Sequence, residues 1–159
     1  MVTKVLFVCL GNICRSPTAH GIFEAQVKAR GLEDRIVVDS AGTASWHAGN
    51  PPDARSIQFA RQRGYELKHL RARQAIVEDF DEFDIILAMD NSNLSDLRDL
   101  CPKHFSGHLG LFLDFAKASE SQVPDPYHGG DAGFEQVLDL VEDASEGLLD
   151  FILKNNWSK

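Results

Sequence analysis

Apolar positions follow two alternating patterns along this chain. Val5-Leu6-Phe7-Val8, Ile36-Val37-Val38 and Phe83 to Met89 are short runs rich in aliphatic and aromatic residues, the pattern of strands buried on both faces. His108 to Leu111 is a shorter fourth candidate. Between these runs the spacing turns helical. Ala19, Ile22, Phe23 and Val27 lie on one helical stripe that ends at Gly31, with Ser16 the expected cap and Pro17 the first helical residue. Gly49-Asn50-Pro51-Pro52-Asp53 leads into a second helix, capped by Asp53 and closed by Gly64. Asp90-Asn91-Ser92-Asn93 starts a third that runs to Leu100, with Pro102 beyond it. Residues 120–133 read as a loop holding Pro124, Pro126, Gly129, Gly130 and Gly133, and a last helix is predicted from about Phe134 to Lys154.

Strands alternating with helices predict an α/β fold, an open parallel sheet of about four strands with helices on both faces, in the manner of flavodoxin or Rossmann domains. Ligands of such sheets gather at the carboxyl ends of the strands. The length of 159 residues and 43% hydrophobic content suit a single domain over 1–159. Three cysteines, Cys9, Cys14 and Cys101, do not make a disulfide scaffold. Met1 to Leu10 holds one Lys and only a six-residue apolar run, so no secretory signal is expected and the chain reads as cytoplasmic. No run approaches the roughly 18 apolar residues of a membrane span. A net charge of -8 disfavours nucleic acid and other extended polyanions. Any anion must be caught at a local site.

That site is predicted at Cys9-Leu10-Gly11-Asn12-Ile13-Cys14-Arg15-Ser16, between the first strand and the first helix. Gly11 and Asn12 tolerate left-handed backbone angles, so the loop can turn successive amides inward as a nest for an oxyanion. The helix N-terminus adds positive charge, and the Arg15 fork matches two oxygens. The same field favours a thiolate at Cys9, so a depressed Cys9 pKa is expected. An ionised sulfur beneath a bound phosphoryl group is an in-line nucleophile. Ser16, if its hydroxyl reaches the sulfur, would stabilise it as a leaving group. Neither ATP-binding nor dinucleotide-binding glycine patterns occur. Cys101, His104 and His108 have a zinc-like spacing, but Pro102 and Gly107 break the register and a fourth ligand is missing nearby, so no metal is expected.

From Val8 to Pro17 the sequence resembles the signature of the low-molecular-weight protein tyrosine phosphatases at every position, and Asp125-Pro126-Tyr127 resembles a second family element. The similarity extends through Asp39-Ser40-Ala41-Gly42, Asn50-Pro51-Pro52-Asp53, Ala72-Arg73-Gln74 and Met89-Asp90. It implies hydrolysis of phosphotyrosine and aryl phosphates through a phosphocysteine, with no cofactor. Cys9 is then the nucleophile, Arg15 the clamp on the equatorial oxygens and Asp125 the acid that protonates the leaving oxygen. The phosphate-binding loop is Leu10, Gly11, Asn12, Ile13, Cys14 and Arg15. Ser16, Asn12 and Ser40 are implied to hold it in shape. Trp46 and Tyr127, with Leu10 at the rim, are implied to wall a deep cleft for an aryl ring. Cys14 is implied to form a protective disulfide with Cys9 under peroxide.

An acid that begins the cycle protonated implies a mildly acidic optimum with phenyl phosphates. Tyrosine-phosphorylated proteins are the implied partners, and the chain is expected to be a monomer or weak dimer. Two departures from the family pattern stand out: Leu70, with His69 beside it, where a His is common, and His128 where a second aromatic is common.

Three alternatives are open to test. An arsenate reductase of this superfamily needs two downstream cysteines for its relay, and only Cys101 is present. A phosphoarginine phosphatase typically carries Thr where Ile13 stands. A noncatalytic phosphopeptide-binding module could dispense with Cys9 or Asp125.

Overall fold

The computed structural model of the protein describes residues 2–157; Met1, Ser158 and Lys159, at the ends of the expected domain, lie outside the described residues. Four parallel strands, β1 (Thr3–Cys9), β2 (Ile36–Gly42), β3 (Ile85–Ala88) and β4 (His108–Leu111), form one sheet in the order β2-β1-β3-β4. Five α-helices accompany them: α1 (Arg15–Ala29), α2 (Ala54–Gln62), α3 (Asp79–Glu82), α4 (Asn91–Leu100) and α5 (Asp131–Asn155). The open α/β sheet predicted from the sequence is present.

Alternation along β1 explains why its apolar run is unbroken. Val5, Phe7 and Cys9 face a core built with α1 and α5, whereas Leu6 and Val8 face a second core with Phe80 and with Leu94 and Leu97 of α4. Both faces are covered, so neither tolerates a polar residue. Phe7 anchors the first core, edge-on to Phe23 at 5.7 Å and to Phe112 at 4.8 Å.

The chain winds one way from β1 to β2 and the other way from β1 to β3, so the switch point lies at the carboxyl end of β1. The Cys9 loop occupies that position.

Several boundaries differ from the sequence expectation. Strand β2 does not stop before Asp39 but pairs with β1 through Gly42, because every residue from Thr3 to Cys9 finds a partner there. Strand β3 is shorter, since Phe83 and Asp84 lead in from α3. Helix α5 begins at Asp131 and takes in Gly133. Ser16 does not cap α1: the helix starts at Arg15, and Cys14 is in the capping position without a side-chain bond. Pro17 is then the third helical residue, where a missing N–H still costs nothing. Asp53 does cap α2, accepting from the Arg55 amide at 2.9 Å, and Asp90 caps α4 through Asn93 at 2.8 Å.

Candidate active site

The loop after β1 makes a tight cradle. Asn12 takes φ +58°, a left-handed angle that Asn accepts more readily than most residues. Its side chain is used at both ends: Nδ2 donates to Ser16 Oγ at 2.7 Å, and Oδ1 accepts the Arg73 amide at 3.1 Å. Glycine is required opposite, at Gly42, where a Cβ would come within 2.6 Å of the Leu10 carbonyl oxygen. The Cys9 sulfur lies 3.1 Å from Ser16 Oγ and receives the Asn12 amide at 3.3 Å. Ser16 Oγ is also 3.2 Å from the Ala41 carbonyl. One hydroxyl proton thus has two acceptors to choose between. It serves Ala41 when the sulfur is a thiol and turns to the sulfur when it is a thiolate.

Arg15 is 3% exposed and fixed on one edge. Nη1 donates to Asp90 Oδ2 at 2.6 Å and to the Val123 carbonyl at 3.1 Å. No described residue accepts a hydrogen bond from Nε or Nη2; Nη2 lies 3.8 Å from Asp125 Oδ2. A planar fork held by one edge presents the other to an oxyanion. Asp90 serves twice, since its other oxygen caps α4.

Asp125 lies across the cleft with its side chain 45% exposed. Its Oδ1 accepts the Tyr127 amide at 3.1 Å, within its own loop. The cleft between, about 160 Å³, is floored by Cys9, Gly11, Ile13, Cys14 and Arg15. Leu10, Trp46 and His47, together with Asp125, Tyr127 and His128, complete its lining. The expected deep aromatic wall is only partly formed: Trp46 is 72% exposed and stands at the mouth, because its polar loop offers no apolar surface to lie on. Tyr127 is also exposed, edge-on to His128 at 4.9 Å.

One further expectation resolves differently, and two other sequence features find their surroundings. Ser40 makes no hydrogen bond to residues 10–16. Its hydroxyl lies 3.0 Å from His20 Nδ1, because the extended β2 points residue 40 to the α1 face, opposite to Ala41. Ser40 therefore steadies the helix that carries Arg15. Leu70 packs against the first core and His69 is exposed, so the bond to Asn12 comes from the Arg73 backbone and not from a histidine. His104 bonds to Asp81 at 2.9 Å, and His108 lies against the rings of Phe115 and Phe151, which places the zinc-like trio in separate surroundings.

Cys14 is buried on the inner side of the loop. Burial, opposed by a hydrogen bond with Ser56 and reinforced by Asp53, pushes its thiol up to about 12. Glu24, bonded to His20, is held below the usual carboxylate range. Sequence reading missed Asp90, His20 and Arg73 as parts of the site. Asp90 had a signal, an acid at the carboxyl end of the strand beside β1, and Arg73 lies in the Ala72-Arg73-Gln74 segment of family similarity; His20 had none.

Fold and loop together define an α/β domain with a buried cysteine and arginine on one loop at its switch point. Residues 4–158 match the model of the low molecular weight phosphotyrosine protein phosphatases, and the chain belongs to that family of hydrolases. A low molecular weight protein-tyrosine-phosphatase of Bacillus subtilis, YfkJ, is 43% identical over 152 residues, covering 95% of this chain and 96% of its own. The structure of a protein tyrosine phosphatase from Entamoeba histolytica with Hepes in its active site superposes with a TM-score of 0.94 at 39% identity, covering 98% of this chain and 99% of that one. A Drosophila arginine phosphatase superposes with a TM-score of 0.88 at 36% identity, covering 94% of this chain and 97% of that one.

Proposed function

We propose that the protein hydrolyses phosphotyrosine in phosphoproteins, and aryl phosphates generally, through a phosphocysteine on Cys9. The observation that carries this reading is the placement of the Cys9 sulfur and the free edge of Arg15 on the floor of one cleft, with Asp125 opposite. The Arg15 fork and the loop amides from Leu10 to Arg15 hold the three equatorial oxygens, and their charge is stabilised as the bond loosens. The Cys9 thiolate attacks phosphorus as the phenolate departs, taking its proton from Asp125. Water then attacks phosphocysteine, giving its proton to the Asp125 carboxylate, and the Ser16 hydroxyl donates to the departing sulfur. Phosphate leaves and the enzyme is restored.

Leu10, Trp46 and Tyr127 flank the entering ring. The phosphoproteins are met in the cytoplasm, by a chain acting as a monomer or weak dimer. Among the described residues no helix is long and apolar enough to cross a membrane. Under peroxide, Cys9 is oxidised to the sulfenic acid, and the Cys14 thiol displaces water from it to close a disulfide.

The likeness to the Drosophila arginine phosphatase favours phosphoarginine as a second reading. Ile13, β-branched and apolar on the cleft floor, supports phosphotyrosine instead. The test is parallel turnover of matched phosphotyrosyl and phosphoarginyl peptides by the wild type and Cys9→Ser. Release from phosphotyrosine that vanishes in the variant supports the reading. Faster release from phosphoarginine moves the substrate to the second, and undiminished release by the variant removes the phosphocysteine.

A further inference from the structure

Arg55, outside the cleft, connects its two sides. As the second residue of α2, it sends its guanidinium to the opposite loop, where Nη1 donates to the Gly129 carbonyl at 3.1 Å and Nη2 to the Tyr127 carbonyl. The guanidinium lies over the Phe134 ring, 4.7 Å from its centroid, and Nε is 3.5 Å from Asp53 Oδ1. Asp53 in turn donates its amide to the Ile13 carbonyl at 2.8 Å. A chain of contacts therefore runs from the phosphate-binding loop through Asp53 and Arg55 to the loop of Asp125.

That loop has few other attachments. Val123 fixes its start, donating its amide to Met89 at 2.8 Å and accepting from Arg15. Between Pro124 and Gly129, apart from those that Arg55 donates, the hydrogen bonds stay within the segment: Tyr127 to Asp125, and Gly129 to Pro126 at 3.1 Å. Gly129 and Gly130 bring no side chain to pack, and Gly130 supplies no side-chain cap to α5. Among the described residues, the hydrogen bonds that tie 124–129 to other elements all come from Arg55, while the Gly130 carbonyl accepts the Gly133 amide of α5 at 3.1 Å. The longer Arg15 contact with Asp125, at 3.8 Å, and the buried Pro126 beside Gly133 of α5 are further links.

We infer that Arg55 is a positioning residue for the proton donor: by gripping two carbonyls of its loop, it holds the Asp125 carboxyl at the height of the leaving oxygen. The inference rests on the proposed role of Asp125. Arg55 is not among the residues that line the cleft. The grip needs a fork, since two carbonyl oxygens two residues apart are met by two parallel donors, and a lysine would meet one of them.

The test uses Arg55→Ala, Arg55→Lys and Asp125→Asn, alone and with Arg55→Ala combined with Asp125→Asn. kcat/KM is measured for a series of aryl phosphates, from p-nitrophenyl phosphate, whose leaving group needs little protonation, to phenyl phosphate, which needs much. Arg55→Ala is expected to lose about 10-fold or more on phenyl phosphate and clearly less on p-nitrophenyl phosphate, since misplacing a reacting group by an ångström is costly. Arg55→Lys recovers part of the loss. In the Asp125→Asn background the Arg55→Ala change costs nothing further, and inhibition by orthovanadate is unchanged, which shows the phosphate loop intact. Equal losses for every leaving group, the same loss again in the Asp125→Asn background, or no loss at all would each overturn the inference. Asp125→Asn alone reports on the underlying reading. If that variant keeps full activity on phenyl phosphate, Asp125 is not the acid and the role of Arg55 falls with it.

Discussion

The two loops that meet at the cleft are held in different ways. In the first, Cys9, Asn12, Arg15 and Ser16 are all buried, and each side chain is fixed by partners drawn from several elements: Ala41 from β2, Arg73 from the segment beyond α2, Asp90 from the end of β3 and Val123. In the second, Asp125 is nearly half exposed and bonds to its own loop, which is gripped by Arg55 at the far side. The division follows the chemistry. Charge stabilisation on a phosphoryl group works when donors are already in place and need no reorganisation. A proton donor must meet leaving groups of different size and then turn to water, and a loop gripped at its edges leaves room for that.

Substitutions should separate the two loops. Changing Arg15 to Lys gives the largest loss: one point charge replaces a fork already committed to Asp90, and kcat/KM for every aryl phosphate should fall on the order of 1,000-fold. Orthovanadate inhibition should weaken with it. A rigid loop that tolerated lysine would break the contrast.

Asp125→Asn comes next. Loss of general acid catalysis is worth about 100-fold or more on phenyl phosphate, and because Asp125 is not part of the cradle, orthovanadate should bind about as well as before. A parallel loss of inhibitor binding would mean that the two loops are one unit.

Ser16→Ala should act on the second half-reaction. Without the hydroxyl the departing sulfur loses one of its two donors, so kcat should fall by about 10-fold while phosphoenzyme accumulates in the steady state. A fall in kcat/KM with no accumulation would assign Ser16 to the first step instead.

The smallest effect is a difference between neighbours in one loop. With its thiol pushed up to about 12, Cys14 stays protonated at every pH an alkylation experiment uses, whereas Cys9 is the sulfur with two donors aimed at it. Iodoacetate at neutral pH should therefore modify Cys9 and leave Cys14 free, as read by peptide mapping. Modification at Cys14 first would contradict the burial argument.

What the sequence could disclose followed from how far apart the partners are in the chain. Elements defined by neighbouring residues were legible: the unbroken strand runs, the Asp53 cap, the helix start at Asp90 to Asn93, and a Gly-Asn loop between Cys9 and Arg15. The family resemblance supplied Asp125, which an Asp before Pro would not have revealed. Partners set by tertiary packing were not legible. Arg15 and Asp90 are 75 residues apart, Asn12 and Arg73 61, and Arg55 and Tyr127 72. Even short-range cues misled where packing competed: Ser16 has every qualification of a helix cap, yet its hydroxyl is drawn to Cys9 and Asn12. The polar tail of β2 looked like a turn until its pairing with β1 carried it on to Gly42.

The phosphocysteine is the point on which both loops converge, and it can be seen directly. Wild-type enzyme turning over p-nitrophenyl phosphate, quenched rapidly into denaturant and mapped by mass spectrometry, should carry one phosphoryl group on the peptide containing Cys9, and Cys9→Ser should carry none. A phosphoryl group on any other residue, or full turnover by the Cys9→Ser variant, would contradict a covalent step at Cys9.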